Sequence, residues 1–269
     1  MKIAVFGGTG LIGSKVVGKL NAAGHEAVPH SQSTGVNVLT GEGLEEAAAG
    51  ADVIVNLTNS PTFDEASPAF FRTSMEKLLA AAEKAGAGHF VILSIVGVDR
   101  VPLDYYRAKT LQEELLAAGP VPYSIVRATQ FMEFVDAILS WTTEGDTVRL
   151  PGTPVQVIAA EDVADAVAEV AAGAPLGGIR DIAGPEVLPL DDWAGSRWRP
   201  AATVTRSSGT TTRECSVSSP ATSSSPGRTP ASPPPVTPTG WPPTRAGADA
   251  APGARNGADA LGDMMWWDG

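Results

Sequence analysis

Over its first 190 residues the chain alternates short apolar runs with amphipathic stretches. Lys2-Ile3-Ala4-Val5-Phe6 is an apolar run closed by glycine and reads as a buried strand. Leu11, Ile12, Val16, Val17 and Leu20 then recur at helical spacing, and Gly24 supplies the stop. Residues 25–29 are expected to form a second strand with a polar turn, 30–35, behind it. Residues 36–38 are expected as a short third strand and 43–49 as a short helix. Residues 51–57 form a near-continuous apolar strand of the kind a parallel sheet covers on both faces. Residues 65–85 carry Phe70, Phe71, Met75, Leu78 and Leu79 on one broad helical face. Strands are expected at 89–93, stopping at Ser94, and at 123–126, 155–158 and 179–183. Helical runs open at Tyr105, Phe131 and Glu161. This order of elements predicts an α/β fold, a doubly wound parallel sheet with right-handed crossovers.

The pattern stops at Trp193. Leu190-Asp191-Asp192-Trp193 looks like the start of a helix, but no helical pattern develops behind it. From Ala194 onward there is no Lys, Ile, Phe or Tyr, and Leu261 is the only leucine. All six lysines and 25 of the 30 acidic residues precede Trp193. Stretches such as Ser223-Ser224-Ser225-Pro226 and Pro233-Pro234-Pro235 bury too little to offset the entropy of ordering them. The expected organisation is therefore a domain over 1–192 and a disordered, low-complexity tail over 193–269. Arginine-, proline- and alanine-rich text without lysine is what a GC-rich gene gives out of frame. A coding frameshift near Trp193 accounts for it better than a native linker does, and translating the other frames from that codon tests the idea.

Composition narrows the function classes. A net charge of −11 argues against a nucleic-acid partner, which would need clustered Lys and Arg. The single cysteine, Cys215, leaves no disulfide framework and no cysteine-rich metal site. No uninterrupted apolar stretch of about 18 residues is present, so no membrane span is expected. The start at Met1-Lys2 runs straight into a strand and predicts no secretory leader, which points to a cytoplasmic location. Nothing in the residues speaks to oligomeric state.

The chemistry begins at Gly7-Gly8-Thr9-Gly10-Leu11-Ile12-Gly13, a glycine loop between a strand and a helix. Gly7 suits a tight turn, Gly10 a close backbone approach by a pyrophosphate, and Gly13 close helix–strand packing. The amides of Thr9, Leu11, Ile12 and Gly13 and the positive end of the helix dipole favour phosphates. At the end of the second strand an acid would bind the ribose of NAD. Ser31, Gln32 and Ser33 stand there instead, with Asn37 beyond them, which leans to NADP. Thr58 and Asn59 follow the central strand at the edge where such sheets bind ligands.

A second constellation follows. Tyr105 and Lys109 are four apart and share a helical face, with Ser94 at a strand end. A lysine beside a phenol is expected to favour the phenolate, letting Tyr105 exchange a proton with a carbonyl that Ser94 holds. Tyr106 is the shifted alternative, without a lysine four residues on.

The glycine loop, Leu93-Ser94-Ile95-Val96-Gly97, Tyr105-Tyr106-Arg107-Ala108-Lys109 and Ile125-Val126-Arg127-Ala128-Thr129-Gln130-Phe131 occur in that order. Together they resemble an atypical short-chain dehydrogenase/reductase, the NmrA-like NAD(P)H-binding branch most of all, from Met1 to about Asp192. The resemblance implies a Rossmann-like fold binding NAD(P)(H), with Tyr105 as proton donor and Lys109 on the nicotinamide ribose. It also implies that Ser94 orients a small-molecule substrate and that Ala128, Thr129, Gln130 and Phe131 line the nicotinamide end. Members preferring NADP often carry an arginine where Gln32 stands. The implied activity is hydride transfer to a small carbonyl or quinone. NmrA-like relatives also include non-catalytic dinucleotide-binding redox sensors, so a regulator is the alternative. A sugar-nucleotide epimerase or dehydratase is disfavoured, because 192 patterned residues leave little room for a sugar-nucleotide domain.

Overall fold

The computed structural model describes residues 1–61, 66–144, 147–197 and 203–206. The expected helix start at Glu65 and the biased stretch 207–269 lie outside the described residues. In chain order the elements are β1 (Lys2–Phe6), α1 (Leu11–Ala22), β2 (Glu26–His30), α2 (Leu44–Ala48), β3 (Val53–Asn56), α3 (Ser67–Ala85), β4 (His89–Ile95), α4 (Asp104–Ala117) and β5 (Tyr123–Ala128). Then come α5 (Val135–Thr142), β6 (Thr143–Glu144), β7 (Thr147–Leu150), β8 (Pro154–Val155), α6 (Ala160–Ala172), β9 (Gly178–Ile182), β10 (Leu188–Pro189), α7 (Leu190–Arg197) and β11 (Thr203–Arg206).

Six strands form one parallel sheet in the order β2-β1-β3-β4-β5-β9. Side chains alternate across it with period two, so β1 sends Ile3 and Val5 to one face and Ala4 and Phe6 to the other. Val16 and Leu20 of α1 and Val163 and Val167 of α6 cover the first face. Met75 and Leu78 of α3 and Leu116 of α4 cover the second. Both faces are closed by apolar side chains, which is why the central strands read as continuous hydrophobic runs. The strand order reverses at β1, between β2 and β3. In such sheets a crevice opens at that point, outside the carboxyl ends of the strands. The Rossmann-like fold expected from the sequence is thus the one observed.

Several local expectations are corrected. Residues 36–38 form no strand. Asn37 Oδ1 accepts from the amides of Leu39 (2.9 Å) and Thr40 (3.2 Å), and Asn37 N donates to the Glu42 carbonyl at 2.9 Å. That turn uses the groups a ladder would have needed, so the sheet ends at β2. Of residues 155–158 only Val155 joins a strand, pairing with Leu188, while Ile158 makes an isolated parallel bridge to Phe131. The strand before Ser94 continues to Ile95. The helix at Leu190 does develop, as α7, because Trp193 and Ala194 are buried against Val135, Leu139, Val148 and Leu150. β11, beyond it, pairs in parallel with β7.

At the amino-terminal end of the sheet, opposite the crevice, His89 is buried and its Nε2 shares a hydrogen bond with Ser124 Oγ at 2.8 Å. Burial holds His89 below the usual histidine range, as it does His30, where nearby Lys2 adds to the effect. The unfolded chain therefore takes up a proton that these imidazoles resist, and stability should fall as the pH drops below about 6.5. Thermal denaturation at neutral pH and at about pH 5.5 should show a loss that His89→Gln reduces.

Candidate functional site

At the crevice the glycine turn is built by close backbone approaches. Gly7 sits at φ +78°, and a Cβ on it would lie 2.7 Å from the Leu57 carbonyl carbon and oxygen. Its amide donates to the His30 carbonyl at 2.8 Å, so the turn is wedged between the ends of β2 and β3. A Cβ on Gly13 would lie 2.1 Å from the Gly7 oxygen, so α1 can start against the turn only with glycine there. Gly8, not singled out in the sequence, is as confined, with Pro29 Cα and the Val5 oxygen each 2.6 Å from a Cβ. Its signal was present, since Gly8, Gly10 and Gly13 stand in G-x-G-x-x-G spacing, alongside the G-x-x-G-x-x-G of Gly7, Gly10 and Gly13. Gly10, by contrast, would meet only the Gly7 oxygen at 3.3 Å, and Thr9, Gly10 and Leu11 are exposed. The first turn of α1 carries no acid and no side-chain cap, whereas α2 and α6 both open with acids. Its leading amides and positive dipole end thus meet no carboxylate or capping side chain from the helix's own first turn.

Beside the turn, at the end of β2, Gln32 and Ser33 lie in a short 3-10 turn, Gln32–Thr34, with Ser31 at the position just before it. Ser31 Oγ and Ser33 Oγ pair at 2.8 Å, and no carboxylate stands among the three. Asn37 lies one turn further, its side-chain oxygen engaged as described. At the end of β3 the organiser is Asn56, which sequence reading left inside the strand. Its buried Oδ1 accepts from Thr58 Oγ1 (2.7 Å) and Thr58 N (3.0 Å), shaping the turn that carries Thr58 and Asn59. An asparagine followed two residues later by a threonine is the Asx-turn signal that could have found it.

Asn59 reaches the second constellation, because Tyr105 Oη donates to Asn59 Oδ1 at 2.7 Å. Tyr105 and Lys109 are one helical turn apart on α4 and meet on the same ring. Phe71 lies 6.0 Å from the Tyr105 ring, and Lys109 Nζ is 5.0 Å from the Phe71 centroid. Lys109 Nζ donates to the Leu93 carbonyl (2.7 Å) and to Gln112 Oε1 (2.6 Å). The expected phenolate is corrected. Burial holds Tyr105 above the usual tyrosine value, offset in part by the Asn59 bond, and Tyr106 is pushed up to about 12. The displaced group is Lys109, brought down to about 7 by burial, with Glu113 opposing. A phenol that keeps its proton suits a donor rather than a base.

Next to Leu93, the buried hydroxyl of Ser94 has no hydrogen-bond partner among the described residues, and neither has Thr129 Oγ1 just past β5. Such groups are rare in folded chains, and two at the carboxyl edge of adjacent strands mark where a polar ligand can be received. Gln130 and Phe131 follow Thr129. The Gln130 carbonyl accepts from Ile158 N at 2.9 Å, and the Phe131 ring lies 5.9 Å from that of Phe134. Glu133 caps α6 from outside, accepting from Ala160 N at 3.0 and 3.1 Å. Buried Glu113 forms a bidentate pair with Arg127 (3.0 and 2.6 Å), tying α4 to β5 behind the site. Sequence reading passed over Gln112 and Glu113, although they continue the face of Tyr105 and Lys109 by one more turn.

This arrangement defines a class, a doubly wound domain with a glycine turn and an acid-free helix start at the switch point of its sheet. The chain belongs to the NAD(P)H-binding family, which it matches over residues 7–173. No curated protein matches its sequence. Among solved structures it is similar to MoeE5 in complex with UDP-glucose and NAD (18% identity, TM-score 0.61, 77% of this chain and 85% of that one). It is also similar to the UDP-glucose 4-epimerase of Thermus thermophilus in complex with NAD (17%, 0.61, 76% and 86%). A third is the dTDP-4-dehydrorhamnose reductase of Bacillus anthracis str. Ames in complex with NADP (14%, 0.63, 77% and 85%). At these identities the likeness is one of fold. Among the described residues no helix is long and apolar enough to cross a membrane.

Proposed function

We propose that the protein is an NAD(P)H-dependent oxidoreductase that reduces a small carbonyl or quinone, with Tyr105 donating the proton. The observation that carries this reading is the meeting of Tyr105 and Lys109 on Phe71, with the unpartnered Ser94 hydroxyl beside the carbonyl that anchors Lys109. A bound reduced nicotinamide supplies the hydride. The turn from Gly7 to Gly13 holds the diphosphate by the amides of Thr9, Leu11, Ile12 and Gly13, while those of Gly7, Gly8 and Gly10 are spent on closing the turn itself. Thr58 and Asn59 face the same crevice, and Thr129, Gln130 and Phe131 line the nicotinamide end. Lys109 donates to the ribose. Ser94 donates a hydrogen bond to the substrate oxygen, and Tyr105, protonated through neutral pH, turns from Asn59 to give that oxygen its proton.

Ser31, Gln32 and Ser33, with no carboxylate among them, support NADP over NAD. The test is a fluorescence titration with NADPH and NADH, followed by NADPH oxidation across a panel of quinones and ketones. Saturable binding with turnover on one class is expected, and tighter binding of NADPH than of NADH. Tight binding without turnover on any substrate would favour the redox-sensing regulator. Absence of binding by a folded sample would end both readings.

A further inference from the structure

We propose that Gln112 is a positioning residue for Lys109, holding its ammonium against the Leu93 carbonyl so that one N–H is left for the ligand. The inference rests on the nicotinamide reading above. An ammonium has three donors, and two are spoken for, by Leu93 O at 2.7 Å and Gln112 Oε1 at 2.6 Å. Both acceptors are neutral. The nearby carboxylate, Glu113, is turned to Arg127, whose Nε and Nη2 take both of its oxygens. Lys109 is thus held in direction without being neutralised by an ion pair.

Gln112 itself is fully buried on α4, and its Nε2 has no hydrogen-bond partner among the described residues. A buried amide donor without a partner lowers stability, and a leucine or methionine would fill that space without the penalty. What the glutamine adds is its oxygen, and that oxygen meets Lys109 Nζ. The titratable groups around Lys109 are Tyr105 and Glu113 on its own helix, with Arg127 of β5 behind Glu113. Phe71 of α3 and Leu93 and Ser94 of β4 bring none. Burial already draws the lysine to about 7, so the acceptor at position 112 decides at which pH the ammonium is lost.

The experiment measures NADPH affinity by fluorescence from about pH 5.5 to about 9.5 for the wild type, Gln112→Glu and Gln112→Met. Wild-type affinity should weaken as the pH rises past the lysine's midpoint. A carboxylate against Nζ should move that midpoint up by at least about one pH unit. Gln112→Met should move it down and weaken binding about tenfold at neutral pH, with the melting temperature retained. Midpoints that coincide in all three folded proteins, or a wild-type affinity independent of pH, would overturn the proposal. If Gln112→Glu does not fold, Gln112→Met decides alone. A wild type that binds no NADPH at any pH would instead overturn the nicotinamide reading, so the two failures are distinguishable.

Discussion

Tyr105→Phe should lower turnover by about 100- to 10,000-fold, the range for removing a positioned general acid, while leaving NADPH affinity unchanged. The ring keeps its packing, 6.0 Å from Phe71 and 6.0 Å from Tyr106, so the variant removes only the hydroxyl. The loss leaves Asn59 Oδ1 without its 2.7 Å donor, which should cost about 1 kcal/mol of stability and no more. Because burial keeps the Tyr105 phenol protonated through neutral pH, wild-type reduction should show no limb from this group until above about pH 10. Steady-state kinetics with the best quinone or ketone, alongside the binding titration, checks each part. Equal loss of affinity and turnover would mean that Tyr105 shapes the cofactor site rather than donating the proton.

Gly13→Ala should abolish dinucleotide binding and cost about 3 kcal/mol or more, at the upper end for overpacking, because the new methyl meets backbone rather than a movable side chain. The atoms in its way are the Gly7 oxygen at 2.1 Å and Gly8 Cα at 2.7 Å. Relief requires pulling α1 off the turn that its amides are meant to serve. Two controls share the neighbourhood. Gly10→Ala meets a single atom at 3.3 Å, so it should fold normally yet, on the proposed reading, weaken binding by covering the surface the diphosphate would approach. Gly18→Ala, inside α1 with open space around it, should raise stability by about 0.5–1 kcal/mol. Melting temperatures and NADPH titrations of the three variants separate the roles of fold and site. A Gly13→Ala protein that binds normally would remove the glycine turn from the site.

How far the sequence reached differs between fold and site. The central strands were legible because both faces of the sheet are covered, which forces continuous apolar runs such as 51–57. The glycine turn was legible because close backbone contact excludes every other residue. The short strand expected at 36–38 failed because Asn37 closed a local turn, which competes with a ladder at an unpartnered sheet edge. The helix at Leu190 was missed because one buried tryptophan, Trp193, stabilises it through contacts far away in sequence, and periodicity does not register those.

Local pattern and steric demand, both readable residue by residue, determined the parallel α/β architecture, the place of the glycine turn and the Tyr105–Lys109 spacing. Only the tertiary structure decided the protonation and partners of that pair. Which acceptor meets the ammonium, which oxygen receives the phenol's proton and how deeply both are buried depend on Leu93, Asn59 and Phe71, brought in from other elements. Spacing along one helix sets which side chains share a face, but desolvation and hydrogen bonding across elements set the direction of their pKa shifts, and here burial raises Tyr105 where a neighbouring lysine was expected to lower it.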